Sequence, residues 1–331
     1  MSKKIKQGVQ VTVTLLIALI IFFYLYRDIE KDTILEALGE TDWFLLLSSV
    51  SVGILGYWLR AWRWKILIET GENYRIKTGN VFWALMFGYL INLVIPRAGE
   101  LARCAAVNRS YPIKTGKIFG TVVLERTIDM VFMLLLIALA FLLQGSVFLE
   151  IFGLLVSFPA LTAFMNSYFT LGMVILAGGI GILYLAYRKY RHSGWTAKIK
   201  QFLRQFVSGL ETVFQMKKQA GFWTVSVLIW VIYFLMMYWI ALATPSTSLL
   251  SASSVLMVLV MGSIGMVAPV QGGIGTFHAM VAFILLFYGI SEEQGKIFAM
   301  IVHASQMLTI MVLGGLSLLF LAGKKESNLQ P

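Results

Sequence analysis

Val94-Ile95-Pro96-Arg97-Ala98-Gly99-Glu100-Leu101-Ala102-Arg103 breaks one long apolar run, and Val267-Ala268-Pro269-Val270-Gln271-Gly272-Gly273-Ile274-Gly275-Thr276-Phe277-His278 breaks another. Both stretches share the skeleton Val-x-Pro-x-x-Gly and lie between segments hydrophobic enough for a bilayer. Irregular backbone at membrane depth leaves N–H and C=O groups unpaired, so it persists only inside protein or along a wet cavity. Two such interruptions, one in each half of a chain, point to a binding site near the bilayer midplane. A polar pathway through a membrane is the reading that follows.

Composition agrees with that frame. Of 331 residues, 59% are hydrophobic and only 13% charged, and the mean hydropathy is +0.81. Repeated long apolar runs on this scale predict an all-α, polytopic integral membrane protein with about eight spanning helices plus broken or re-entrant segments. The longest polar stretch runs only from Arg188 to about Gly221. An enzyme that needs a separate aqueous catalytic domain is therefore excluded, and residues 1–331 read as one transmembrane domain. The run from Val9 to Tyr26 follows Lys3, Lys4 and Lys6 without a small-residue cleavage site, so it reads as a retained helix. One cysteine, Cys104, rules out an internal disulfide.

Ten candidate membrane segments emerge: Val9–Tyr26, Trp43–Leu59, Asn80–Ile95, Ile118–Leu143, Val147–Ala163, Phe169–Tyr187, Phe222–Ala243, Ser251–Ala268, Ile274–Ile290 and Ile297–Ala322. Lysine and arginine placement orients them. The N-terminus, the Arg60-Ala61-Trp62-Arg63-Trp64-Lys65 loop with Arg75 and Lys77, the Arg188–Lys218 stretch and Lys324-Lys325 are basic and expected to be cytoplasmic. Connections near Gly39, Gly145, Ser246 and Glu292 carry little positive charge and are expected outside. Arg97, Arg103, Arg109, Lys114 and Lys117 then follow a segment that should end outside. The conflict disappears if Asn80–Lys117 enters from the cytoplasm, breaks at Pro96 and returns. Ser251–Ile290 would begin and end outside, as a re-entrant pair or as two spans. An inverted repeat is one reading of this pair, and two unrelated kinks is the other.

Between Lys198 and Phe214, Ile199, Phe202, Leu203, Phe206, Leu210, Val213 and Phe214 recur at helical spacing beside Lys198, Lys200 and Arg204. The segment 188–220 is therefore expected to be cytoplasmic and to lie in the interface, basic face toward anionic headgroups. The net charge of +11 is spread over membrane-flanking loops, which suits an anionic leaflet and not a nucleic acid.

Ionisable residues at mid-bilayer cost roughly 2.5–3.5 kcal/mol each on insertion scales, so they need partners or a task. The densest group is Glu125-Arg126-Thr127-Ile128-Asp129, within an apolar run. Glu125 and Asp129 share a helix face, and Arg126 stands three residues from Asp129, within pairing reach. Arg97 or Arg103 is the natural cation for Glu125. Together Arg97, Glu100, Arg103, Glu125, Arg126 and Asp129 form a charge-balanced candidate site. Its guanidiniums suit bidentate phosphate recognition, although the same residues also suit an ion-pair lock between helices. At the second break, Gln271, Gly272, Gly273 and His278 are candidate binding residues. The glycines permit close backbone approach, and a helix beginning near Ile274 offers free N–H groups. His303 and Gln306 add polarity on the last span. Phosphate-binding loops, Asp-x-Asp and His-Glu-x-x-His motifs do not occur, and three histidines with one cysteine argue against a metal site. No catalytic residue, metal or cofactor is expected.

Four motifs in order carry a family resemblance: Trp58-Leu59-Arg60-Ala61-Trp62-Arg63-Trp64, Pro96-Arg97-Ala98-Gly99-Glu100-Leu101-Ala102-Arg103, Leu124-Glu125-Arg126-Thr127-Ile128-Asp129, and Pro269-Val270-Gln271-Gly272-Gly273-Ile274-Gly275-Thr276. The chain resembles the lysylphosphatidylglycerol synthase transmembrane-region, or flippase-like, family from about Trp43 to Leu321. It departs from that pattern at the second break, where Val270-Gln271 and His278 replace a proline–glycine context and an acid. The resemblance implies a membrane domain that moves lipids or lipid-linked groups between leaflets. It also implies a multi-pass protein of the bacterial cytoplasmic (inner) membrane with both termini inside. The soluble lysyl-transfer domain of full-length synthases has no counterpart here, so transferase activity is not expected to carry over. The expected partners are membrane phospholipids, anionic headgroups in particular, and a homo-oligomer is compatible with the sequence. A non-transporting membrane scaffold and an intramembrane lipid-modifying transferase are the alternatives.

Overall fold

The computed structural model describes residues 20, 23–70, 75–95, 97–113, 115–155, 219–268 and 270–322. Expectations that fall on residues 9–19, Pro96, Lys114, residues 156–187, the 188–218 amphipathic segment, Pro269 and Lys324-Lys325 lie outside them. Residues 1–143 and 217–331 form one compact unit and 144–216 a second. Among the described residues every regular element is helical. In the first unit these are α1 (Lys31–Glu40), α2 (Trp43–Glu69), α3 (Thr78–Val94), α4 (Gly99–Ser110) and α5 (Thr115–Leu143). After 217 come α7 (Gln219–Ala243), α8 (Ala252–Val267), α9 (Thr276–Leu286) and α10 (Glu292–Ala322), while α6 (Gly145–Leu155) belongs to the second unit.

Among the described residues four helices, α2, α5, α7 and α10, are long and apolar enough to cross a membrane. α3, α8 and α9 are apolar but too short to do so unaided. Seventeen, sixteen and eleven residues rise only about 26, 24 and 17 Å against a core of about 30 Å. Large side chains stay exposed along α5 and α10, among them Leu134, Leu135, Leu142, Leu308, Val312 and Leu319. On α5 the buried positions Ile118, Val122, Glu125 and Ile128 form one stripe. An apolar surface around most of a helix is stable against lipid and costly against water.

α2 and α7 are antiparallel partners. Asp42 caps α2 by accepting from the Phe44 and Leu45 N–H groups, and its own N–H donates to the Ala243 carbonyl at 2.8 Å. Gly53 and Gly56 let α7 come close, because a Cβ at Gly56 would lie 2.9 Å from Ile232 Cγ2.

Both breaks fold into helical hairpins. At the first, Gly88 and Gly99 press α3 against α4 so tightly that a Cβ on Gly99 would fall on the Gly88 carbonyl oxygen. Asn92 Oδ1 accepts from the Gly99 N–H at 2.7 Å and caps α4. Arg97, at φ +62°, turns the chain. At the second break, Gly265 packs against Thr276 and Phe277, a Cβ there lying 2.7 Å from the Thr276 carbonyl oxygen. Gly272 and Gly273 both hold positive φ. The Thr276 hydroxyl donates to the Gly265 carbonyl at 2.8 Å, tying α9 to α8.

Two expectations need correction. The stretch from Arg60 to Lys65 is not a loop: α2 runs unbroken to Glu69. No glycine or proline stands between Gly56 and Thr70 to stop it, and inter-helix ion pairs accept the charge that the loop assignment sent to water. The connection near Gly39 is likewise helical, within α1.

Candidate functional site

The charged cluster forms where α2, α4 and α5 meet. Arg60 and Arg63 are three apart and share a face of α2, while Glu125 and Asp129 are four apart on α5. Arg60 Nη2 donates to Glu125 Oε1 at 2.9 Å and to Asp129 Oδ2 at 3.1 Å. Arg63 Nη2 donates to Asp129 Oδ1 at 2.6 Å and lies 3.5 Å from Glu125 Oε1. From α4, Arg103 Nη1 lies 3.0 Å from Glu125 Oε2. At the rim, Arg126 donates to Glu100 at 2.9 Å. The centre is dry: Arg63 and Glu125 are 0% exposed and Arg103 2%. Glu125 lies about 15 Å along α5 from Thr115.

Aromatic rings wall the cluster. Arg103 stacks over the Trp64 ring at 4.4 Å, and the indole N–H of Trp64 donates to Thr121 Oγ1 at 2.9 Å. Arg60 Nη1 donates to the Tyr233 hydroxyl at 2.6 Å, and the Tyr89 ring lies 5.9 Å from its guanidinium. Tyr57 packs on Tyr89 at 5.5 Å. Beyond Tyr57, a void of only about 10 Å³ is lined by Ser49, Ser305, Gln306 and Thr309 together with Val50, Gly53 and Met236. Polar groups thus follow α2 from Ser49 to Arg63, a rise of about 21 Å.

The membership differs from the sequence expectation in a way that changes the electrostatics. Arg97 is exposed and makes no ion pair among the described residues; the left-handed turn it occupies carries it away from Glu125. Arg126 pairs with Glu100 and not with Asp129. Arg60 and Arg63 take the places expected of Arg97 and Arg126 beside Glu125 and Asp129. A charge-balanced group of three arginines and three acids becomes four arginines against three carboxylates. One positive charge is in excess. Among the described residues several buried guanidinium nitrogens have no hydrogen-bond partner: Arg60 Nε, Arg63 Nε and Nη1, and Arg103 Nη2. Arg103 Nη1 is near Glu125 but not aligned for a hydrogen bond. Arg60 and Arg63 were findable, since their i, i+3 spacing in an unbroken helix complements the i, i+4 acids of α5.

The second hairpin brings its own residues to the first. Gln271 Nε2 donates to the Val94 carbonyl at 2.9 Å, so the tips of the two breaks touch. Gln271 is 2% exposed, and its Oε1 has no partner among the described residues. His303 Nε2 donates to the Gly272 carbonyl at 2.8 Å and holds the break in place. His278 Nδ1 accepts from the Gly275 N–H at 3.2 Å. His278 therefore caps its own helix, which begins at Thr276 and not at Ile274. The two imidazoles meet edge to face at 4.7 Å, and Tyr26 packs on His278 at 5.7 Å. Among the described residues no group of His, Cys, Asp or Glu is arranged to hold a metal.

A scan against protein families matches one family model, described as the lysylphosphatidylglycerol synthase TM region, over residues 11–314. No curated protein and no solved structure matches the chain. That match covers α2, α5 and α7, α10 as far as residue 314, the two hairpins and the arginine cluster between them, and so the chain is a multi-pass integral membrane protein that belongs to the lysylphosphatidylglycerol synthase TM region family.

Proposed function

We propose that this protein passes an anionic phospholipid or lipid-linked headgroup across the bilayer, and that Arg60, Arg63 and Arg103 receive its phosphate. The observation that carries this reading is the uncompensated positive charge, together with unpartnered guanidinium N–H groups, at a buried junction of three helices. An ion kept only as a lock is expensive. Desolvation costs several kcal/mol per buried ion, and apolar replacements are often as stable or more so. An arginine excess that leaves donors facing inward fits a bidentate phosphate acceptor. On this reading the helices part along the line of polar residues from Arg63 to Ser49 to pass the headgroup, and the apolar outer faces of α5 and α10 leave the acyl chains in lipid. Gln271, with its free Oε1 beside Val94, supplies a hydrogen-bond acceptor where the hairpin tips meet.

On this reading the protein works in the bacterial cytoplasmic membrane, its basic ends inside, as a transporter and not as an enzyme. The scaffold alternative rests on the ion pairs that join α2, α4 and α5. Reconstitution into proteoliposomes with fluorescent phosphatidylglycerol separates them. Wild type should scramble the lipid. Arg63→Gln should reduce the rate at least tenfold while folded protein is recovered, and Arg97→Gln should leave the rate unchanged. No scrambling by folded wild type, or equal loss in Arg97→Gln, would sink the proposal. A modified lipid product in membranes of overexpressing cells would turn it into a transferase.

A further inference from the structure

A second feature stands apart from the arginine cluster and belongs to no site described above. At the end of the bundle where α3 begins and α4 and α10 finish, an open groove of about 1110 Å³ runs between these helices. That is at or above the roughly 300–1,000 Å³ usual for small-molecule pockets. Its α4 wall is Ala102, Ala105, Ala106 and Arg109, spaced i, i+3, i+4, i+7 along one face. Three methyl groups in a row leave the depth of the groove empty. Opposite stand Phe87 of α3 and Leu318 and Leu321 near the end of α10.

The polar groups gather at one end. Lys77 and Arg109 are the charged residues that line the groove. Both are exposed, and neither makes an ion pair among the described residues. Tyr111 stands with them, its hydroxyl accepting from Asn80 Nδ2 at 2.5 Å and from the Lys77 N–H at 3.1 Å. These bonds fix the start of α3 to the end of α4, so the helix ends that carry the two cations meet at one end of the groove. Among the described residues no carboxylate lines the groove. A cavity with two unpaired cations and a phenol at the mouth, and alanine, leucine and phenylalanine along its length, has the polarity of one glycerophospholipid.

We infer that this groove is a binding site for an anionic phospholipid taken laterally from the leaflet on the basic side, with Lys77 and Arg109 on its phosphate and one acyl chain along the Ala102–Ala106 face. Charge complementarity selects the occupant. A protein helix laid in the groove would need acidic residues at the mouth to meet Lys77 and Arg109. Arg103 and Arg109 lie on the same helix, about 9 Å apart in rise. A lipid held here therefore stands one short step from the buried guanidiniums, but its binding does not depend on their role.

The test is lipid retention by the full-length purified protein in detergent, read by native mass spectrometry with phosphatidylglycerol or phosphatidylcholine added at equal concentration. One phosphatidylglycerol should be retained per chain in preference to phosphatidylcholine. Each surface cation contributes about a factor of five against an anionic lipid, so Lys77→Gln with Arg109→Gln should weaken retention about twenty-five-fold. Ala105→Trp, which fills the groove and leaves both charges, should abolish it. Lys31→Gln, an exposed charge on α1, should change nothing. Both cations are exposed and unpaired among the described residues, so the double variant is expected to fold, and its melting temperature verifies that. Equal retention of the two lipids overturns the assignment, as does retention unchanged in either groove variant, and the groove then belongs to a protein partner or a second copy. Because the readout is binding, it is independent of whether any lipid is transported.

Discussion

At the scale of single residues, Glu125 carries more of this structure than any other side chain. It accepts ion pairs from Arg60, Arg63 and Arg103, which reach it from α2 and α4. It is wholly buried. Removing one partner of a buried pair typically costs about 3–5 kcal/mol, because the remaining charges stay desolvated. Glu125→Gln is therefore expected to lower thermal stability in detergent sharply, since three arginines would then share Asp129. Arg97 makes the opposite case. It is exposed, without an ion pair among the described residues, and held at φ +62°, a conformation that glycine adopts freely and other residues adopt at a cost of about 1 kcal/mol. Arg97→Gly should leave the melting temperature unchanged or raise it slightly. A large loss in that variant would show that the guanidinium has a structural partner after all.

At the scale of elements, the two hairpins share a construction. A glycine on the entering helix meets the start of the returning one: Gly88 against Gly99 at the first break, Gly265 against Thr276 and Phe277 at the second. This contact decides how closely each pair folds. At Gly99 the obstruction is backbone and the Asn92 side chain, neither of which moves aside readily. Gly99→Ala should therefore cost about 1–3 kcal/mol or more through forced backbone shifts. Gly39→Ala, with nothing near it in α1, should be neutral or stabilising, as alanine is the better helix former. The pair of variants, compared by thermal unfolding, separates hairpin packing from helix propensity. Equal melting temperatures would mean that α3 and α4 do not approach as closely as Gly88 and Gly99 require.

At the scale of the whole molecule, the antiparallel course of α2 and α7 sends Lys77 and Leu249 to opposite ends. Asp42 bonds to Ala243 at one end of α2; Glu69 closes the other and leads to Lys77. Leu249 is 99% exposed just after α7. The native cysteine, Cys104, is buried, so the chain offers no background thiol to a water-soluble reagent. Lys77→Cys and Leu249→Cys should be labelled by an impermeant maleimide from opposite faces of intact cells. By the positive-inside rule, Leu249→Cys should react outside and Lys77→Cys only after lysis. Labelling of both from one face would contradict the arrangement of α2 and α7 across the bilayer.

The amino-acid sequence alone determined the helical membrane class, the two breaks and the acidic pair at Glu125 and Asp129. It also put Arg97 or Arg103 near that pair, because the broken segment precedes α5 and folds back beside it, and the structure uses Arg103. Apolar run length, glycine–proline interruption and helical spacing are local quantities, and they are written in order along the chain. Only the tertiary structure decided which cations the acids receive. The charge-counting rule assigned Arg60 and Arg63 to water, since it cannot see a carboxylate waiting on another helix. Their inward face was set by α2 continuing past them and packing on α5. The same holds for Gln271, whose partner is the Val94 carbonyl of the other hairpin. Such contacts join residues far apart in the chain, where no periodicity reaches, and they exist only once close glycine packing has brought the helices together.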